Sequence, residues 1–177
     1  RLKGDIYPQG AKNEALQILC AVLLTPEQVT IHNVPNIRDV NKLIDLIESI
    51  GVKVDKLDKS SYLFQADKIN FDYLHTEEYR EKSTSLRGSI MMIGPLLARF
   101  GKGYIPKPGG DKIGRRRVDT HFIGFEKLGA KFEFSHKENS YNVKGKTLKG
   151  AKMLLEEASV TGTAHIIMAA VLAYGLT

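Results

Sequence analysis

The 177 residues carry 26 Lys and Arg against 20 Asp and Glu, a formal charge of +6, and 42% of them are apolar. That apolar share is too high for a disordered chain and enough for one sizeable core, while the apolar runs Ile90–Leu97 and Ala164–Leu172 fall short of the roughly 20 residues a membrane helix needs. A single cysteine, Cys20, excludes an internal disulfide framework and fits a reducing compartment, so the chain reads as a soluble, cytoplasmic domain with no membrane partner.

Periodicity predicts helices alternating with short strands. Ala15, Leu16, Leu19, Val22 and Leu23 share one helical face, followed by a strand at Gln28–Ile31. Leu43, Leu46, Ile47 and Ile50 make a second helix, followed by strands at Val52–Leu57 and Tyr62–Ala66. Ile90, Ile93, Leu96 and Leu97 make a third. Val118, Phe122, Phe125 and Leu128 make a fourth, with strands at Lys131–Phe134 and Tyr141–Lys144. Ala164, Ile167, Met168 and Val171 make the face of a fifth. The segment Glu77–Lys82 shows only mixed charge, and Gly101–Gly114 reads as one glycine-rich loop, at its plainest a mobile hairpin.

An internal repeat runs through this order. Val40 to Ile50, then Gly51, Val52, Lys53 and Val54, is matched by Val118 to Leu128, then Gly129, Ala130, Lys131 and Phe132. Each reads as helix, glycine stop and strand. Leu2-Lys3-Gly4 recurs as Leu148-Lys149-Gly150. Helices starting near Ala11, Leu86 and Gly162 would open three similar units, the third cut after its first helix.

The excess charge is concentrated. Lys112, Arg115, Arg116 and Arg117 place four cations in six positions, behind Lys102 and Lys107. This is either a solvated basic loop or an anion site. Nucleic acid is disfavoured as a partner, because no aromatics interleave the run and no nucleic-acid signature is present. Gly10-Ala11-Lys12-Asn13 opens the first helix, where backbone N–H groups, the helix dipole and the Lys12 ammonium favour an anion; a solvated first-turn lysine is the alternative. Asp111 stands inside the glycine-rich loop, as a turn aspartate or as an acid. Arginines alone would depress its pKa, whereas a bound polyanion that neutralises them and excludes water would raise it. Cys20 reads as a packing thiol, and the five histidines (32, 75, 121, 136 and 165) show no metal spacing.

Several of these stretches, in this order, resemble the UDP-N-acetylglucosamine 1-carboxyvinyltransferases, a family of enolpyruvyl transferases. They are Gly10-Ala11-Lys12-Asn13, Asn33-Val34-Pro35 with Asp39-Val40, and Gly94-Pro95-Leu96-Leu97-Ala98-Arg99-Phe100-Gly101. Pro108-Gly109-Gly110 through Gly114, Leu148-Lys149-Gly150-Ala151 and Ser159-Val160 complete the set. The resemblance implies an α/β (α+β) fold: an inside-out, barrel-like domain of repeated β/α units with buried helices and outer sheets. Residues 1–177 would be the first of two such domains, with the third unit truncated and the second domain absent. With that domain would go an aspartate near the acceptor hydroxyl and an arginine that closes on phosphoenolpyruvate.

The activity implied is transfer of the enolpyruvyl group of phosphoenolpyruvate to the 3′-hydroxyl of UDP-N-acetylglucosamine, opening peptidoglycan precursor synthesis, with no metal and no cofactor. Lys12 and Arg116 would hold phosphoenolpyruvate, with Asn13 alongside and Arg87 assisting. Arg116, Arg117, Val118, Asp119 and Thr120, with Glu157, Ala158, Ser159 and Val160, would line the nucleotide site, Asp119 reading uracil. Asp111 stands where most members carry the cysteine that donates a proton and is alkylated by fosfomycin; a subset carries aspartate. Arg117 replaces the usual proline, Gly88 an alanine, and Thr161-Gly162 a glycine-alanine pair. The sister activity, 5-enolpyruvylshikimate-3-phosphate synthase, and an inert anion-binding module are the competing readings, and the 177-residue piece alone is expected to be inactive.

Overall fold

The computed structural model describes residues 2–109 and 118–177. The order is α1 (Lys12–Ala21), β1 (Gln28–Ile31), α2 (Arg38–Ser49), β2 (Lys53–Lys56), β3 (Tyr62–Gln65), α3 (Glu77–Thr84), α4 (Ile93–Phe100), β4 (Lys102–Pro106), α5 (Asp119–Lys127), β5 (Lys131–Ser135), β6 (Ser140–Lys144) and α6 (Val160–Ala170). A 3-10 segment, Arg87–Met92, leads into α4.

The repeat is real in three dimensions. One antiparallel sheet runs β1-β3-β2 and the other β4-β6-β5, so in each the last strand in sequence lies between the first two. In both units a helix ends on a glycine at positive φ, 106° at Gly51 and 91° at Gly129. In each, that glycine's N–H donates three residues back, and the next N–H reaches five back: Val52 to Ile47 and Ala130 to Phe125. This C-terminal motif needs the left-handed conformation glycine adopts without strain, then releases the chain into the next strand.

The helices pack on one another, and α4 lies in the interior. Five consecutive residues of α4, Ile93 to Leu97, are buried, as suits a helix enclosed on every side. It packs on α6, on β4 and on the 3-10 turn Val22–Leu24. Arg99 ties two connections to it, donating to the carbonyls of Leu23 (3.2 Å) and Thr25 (3.0 Å) between α1 and β1 and to that of Ala66 (2.6 Å) after β3. The sheets lie outside and turn one face to the core: Phe64, opposite Val29 on one side and Val54 on the other, is fully buried. Cys20 is buried too, and burial pushes its thiol pKa up, which makes it a packing group. Among the described residues no helix is long and apolar enough to cross a membrane.

Three expectations need correcting, and one helix was not anticipated. Residues 102–106 form strand β4 rather than loop, because the edge of the sheet tolerates Pro106 and because Gly103 lets the strand lie against Ile93 of α4. The mixed-charge stretch is helix α3, capped by Thr76, whose hydroxyl accepts from the Tyr79 N–H at 3.2 Å. The third helix begins as a 3-10 turn and becomes α-helical only at Ile93. In α6 the buried set is Gly162, His165, Ile166, Met168 and Ala169, while Ile167 and Val171 are 61% and 62% exposed. That helix is apolar on most of its circumference, so periodicity alone does not select the inner side.

Gly94 marks where α4 and α6 meet most closely: a Cβ there would lie 2.5 Å from His165 Cδ2 and 2.9 Å from the His165 carbonyl oxygen. Gly94→Ala is expected to destabilise the domain by about 1–3 kcal/mol through overpacking. The check is the urea midpoint, and an unchanged midpoint would contradict this close approach.

Candidate functional site

The candidate residues sit at the beginnings of elements. Lys12 is the first residue of α1, and its Nζ lies 2.7 Å from Asp39 Oδ2 in the first turn of α2; the two side chains remain 44% and 39% exposed. A pair so exposed contributes about 0–1 kcal/mol, so an incoming anion can compete for the ammonium at small cost. Asn13 follows, exposed, on the same turn. Arg87 opens the 3-10 segment and is half-buried. Its neighbour Gly88 packs on Leu16, one turn into α1. That contact sets Arg87 beside the start of the helix that carries Lys12.

The second group lies between α5 and α6. Asp119 starts α5 and accepts from the Val118 N–H at 3.1 Å. The Thr120 hydroxyl donates to Glu157 Oε1 at 3.0 Å, joining α5 to the segment that precedes α6. Ser159 caps α6, its Oγ accepting from the Gly162 N–H at 3.0 Å. Ala158 and Val160 flank this cap and are exposed. Val118 and Asp119 also edge an open cleft of about 260 Å³, walled by Phe122, Phe132 and Tyr141.

Asp111, Arg116 and Arg117, with Lys112 and Arg115, lie outside the described residues. The chain leaves toward them at Gly109, whose N–H donates to the Thr84 carbonyl at 3.0 Å, three residues before Arg87. It returns at Val118, directly ahead of Asp119 and Thr120. Both ends of the basic segment are therefore anchored next to the other candidates.

Charge couples the two groups. Burial lowers the His121 pKa to about 4, with the Arg87 guanidinium pushing the same way and Glu157 and Asp119 opposing it. Arg87 and Asp119 also act on Tyr141, whose hydroxyl is raised chiefly by burial. Arg87, Asp119 and Glu157 thus all act on the buried His121 in the first turn of α5. Among the described residues no group of three or more His, Cys, Asp or Glu could hold a metal ion.

Two features escaped sequence reasoning. Lys42 Nζ lies 3.3 Å from Ser85 Oγ, two residues before Arg87; its position one turn after Asp39, on the same face of α2, was the available signal. His121 and His165 form a buried pair with their Nδ1 atoms 2.7 Å apart. Their separation of 44 residues leaves no local trace in sequence.

The whole chain, residues 1–177, matches the family model of EPSP synthase (3-phosphoshikimate 1-carboxyvinyltransferase). A UDP-N-acetylglucosamine 1-carboxyvinyltransferase of Bacteroides fragilis is 58% identical over 177 residues, covering all of this chain and 41% of that relative. One from Porphyromonas gingivalis is 54% identical over 176 residues, covering 99% of the chain and 41% of the relative. The chain therefore spans about two-fifths of the length of these curated relatives. Among solved structures, the enolpyruvyl transferase NikO from Streptomyces tendae superposes with a TM-score of 0.77 at 13% identity, over 99% of this chain and 40% of that one. An EPSP synthase from Acinetobacter baumannii gives 0.67 at 14%, over 96% and 38%. These two likenesses concern the fold.

The His121 value fixes a pH dependence. The unfolded ring takes a proton near the ordinary 6.5, whereas the folded ring resists until about 4. Between those values the unfolded state binds more protons, so stability is full above about pH 6.5 and is lost as pH falls toward 4, by on the order of 3 kcal/mol. Urea midpoints across this range should show the loss in the wild type and a shallower one in His121→Asn. Parallel profiles would contradict it.

Proposed function

The chain belongs to the EPSP synthase family of carboxyvinyl transferases, and from that premise we propose that it is the first domain of a UDP-N-acetylglucosamine 1-carboxyvinyltransferase. The observation that carries the reading is identity of 54–58% along the whole chain to relatives of that name. The sister reaction on shikimate 3-phosphate has no comparable support, because its structural relative stands at 14%. The substrates are phosphoenolpyruvate and UDP-N-acetylglucosamine, and the second domain is the remaining partner.

In the proposed reaction the 3′-hydroxyl of the acceptor gives up its proton to a base as its oxygen bonds to C2 of phosphoenolpyruvate, while an acid delivers a proton to the C3 methylene. The resulting tetrahedral phospho-ketal expels phosphate by breaking its C2–O bond, and a C3 proton leaves to restore the double bond. Negative charge on carboxylate and phosphate persists throughout, so fixed cations are the main requirement. Lys12 at the start of α1 and Arg87 beside it meet this need, and Arg116 extends the cluster from the segment anchored at Gly109 and Val118. Asp111 is the proton donor. A bound polyanion that engages the arginines removes the charges that would keep its carboxyl ionised. Thr120, Glu157 and the capped start of α6 hold the nucleotide, with Asp119, Arg117, Val118, Ala158 and Val160 around it. Asn13 supports Lys12.

A carboxylate in place of a thiol keeps a titratable acid and lacks the soft nucleophile that opens the epoxide of fosfomycin. The full-length protein should release phosphate from phosphoenolpyruvate with UDP-N-acetylglucosamine and not with shikimate 3-phosphate; the reverse preference would overturn the reading. Asp111→Asn should lower kcat by about 10²- to 10⁴-fold. Fosfomycin should not label the wild type, and time-dependent covalent labelling would contradict the role given to Asp111.

A further inference from the structure

The histidine pair outside the assigned site has a proton order that its neighbours dictate. His165 is fully buried on α6 and His121 is 3% exposed on α5. The Gly94 N–H of α4 lies 2.7 Å from His165 Nε2. A backbone N–H can only donate, so this Nε2 must accept, and the ring proton of neutral His165 sits on Nδ1. That Nδ1–H faces His121 Nδ1 at 2.7 Å. His121 Nδ1 must in turn accept, which places its own proton on Nε2. The opposite order would set two N–H groups against each other at Gly94. The chain of donors therefore runs one way, from α4 through α6 to α5, and ends on a His121 Nε2–H turned away from His165.

The two ends of the chain lie in different surroundings. His165 feels burial and His121 alone. His121 feels Arg87, Glu157 and Asp119 as well. The charged groups Arg87, Glu157 and Asp119 thus act on the His121 end of the relay, while the His165 end is fully buried.

We propose that His165 is a positioning residue: by accepting from Gly94 and donating to His121 it locks His121 as the Nε2–H tautomer and so fixes the side chain next to Thr120, whose hydroxyl donates to Glu157 at the proposed nucleotide site. It also holds the first turn of α5, and with it Thr120, in register with α6. Leucine at position 165 would fill much of the space and supply neither bond. Asparagine keeps an N–H near the position of Nδ1 and so can still donate to His121. This inference rests on the nucleotide reading for the ligand and on hydrogen-bond geometry alone for the tautomer.

The test is long-range ¹H–¹⁵N correlation of the histidine rings in the full-length protein at neutral pH, with UDP-N-acetylglucosamine kinetics on the same samples. The wild type should show His165 as Nδ1–H and His121 as Nε2–H. His165→Leu should lose the single His121 tautomer and raise the KM for UDP-N-acetylglucosamine by about tenfold, as loosening the start of α5 costs the Thr120 bond to the Glu157 carboxylate, with kcat within about twofold. His165→Asn should restore both readouts. A wild-type His121 protonated on Nδ1, or a His121 tautomer and KM unchanged in His165→Leu, would overturn the proposal. If the wild type does not use UDP-N-acetylglucosamine at all, the nucleotide reading fails by itself, and the ring tautomers in wild type and His165→Asn still decide the lock.

Discussion

Helices α4, α5 and α6 can approach one another closely only because glycine stands where they cross. A Cβ on Gly94 would collide with the ring and carbonyl of His165, and one on Gly124 would lie 2.3 Å from Ile166 Cδ1. Interiors packed at this density transmit small displacements rather than absorb them. The distance between α5 and α6 sets whether Thr120 can reach Glu157, and the distance between α4 and α6 sets whether Gly94 can reach His165. Arg87 enters along the segment that runs directly into α4. The positions of the candidate groups are thus a consequence of helix packing, with polar side chains placed where elements begin.

That placement gives a domain with a modest charge excess two cations at element starts: Lys12 begins α1, and Arg87 begins the 3-10 segment that runs into α4. They come from different units of the repeat, which pack on each other where Gly88 meets Leu16. Outside the site, ion pairs such as Lys53–Asp67 and Lys82–Glu78 are ordinary surface contacts of small energetic weight. The apolar residues Ile167, Val171, Leu172 and Tyr174 remain exposed on and after α6, on the third unit of the repeat.

Much of this was legible in sequence where a local rule decides the outcome. Glycines 51 and 129 ended their helices and the strands after them followed, because the cap and the period-two pattern are written within a few residues. The two halves of the repeat were visible for the same reason. Strand β4 was hidden because Gly103 and Pro106 oppose strand formation locally, and only pairing with β6 and contact with α4 reveal it. Helix α3 carried its cap at Thr76 and its acidic first turn in plain view, but no apolar stripe drew attention to it. The buried side of α6 was misread because apolar residues surround that helix. Lys12, Arg87, Asp119, Thr120 and Glu157 were singled out through resemblance, and of these the structure joins Thr120 to Glu157, while the His121–His165 pair depends wholly on tertiary proximity.

The account stands or falls on the element starts acting as one ligand-binding surface. Hydrogen exchange of the full-length protein, with and without UDP-N-acetylglucosamine and phosphoenolpyruvate, reads this directly. The predicted result is concerted slowing at residues 12–14, 87–89, 119–121 and 159–162 when both ligands are present. Protection that appears instead around Phe71, Lys102 and Lys144, or at none of the four starts, would contradict it.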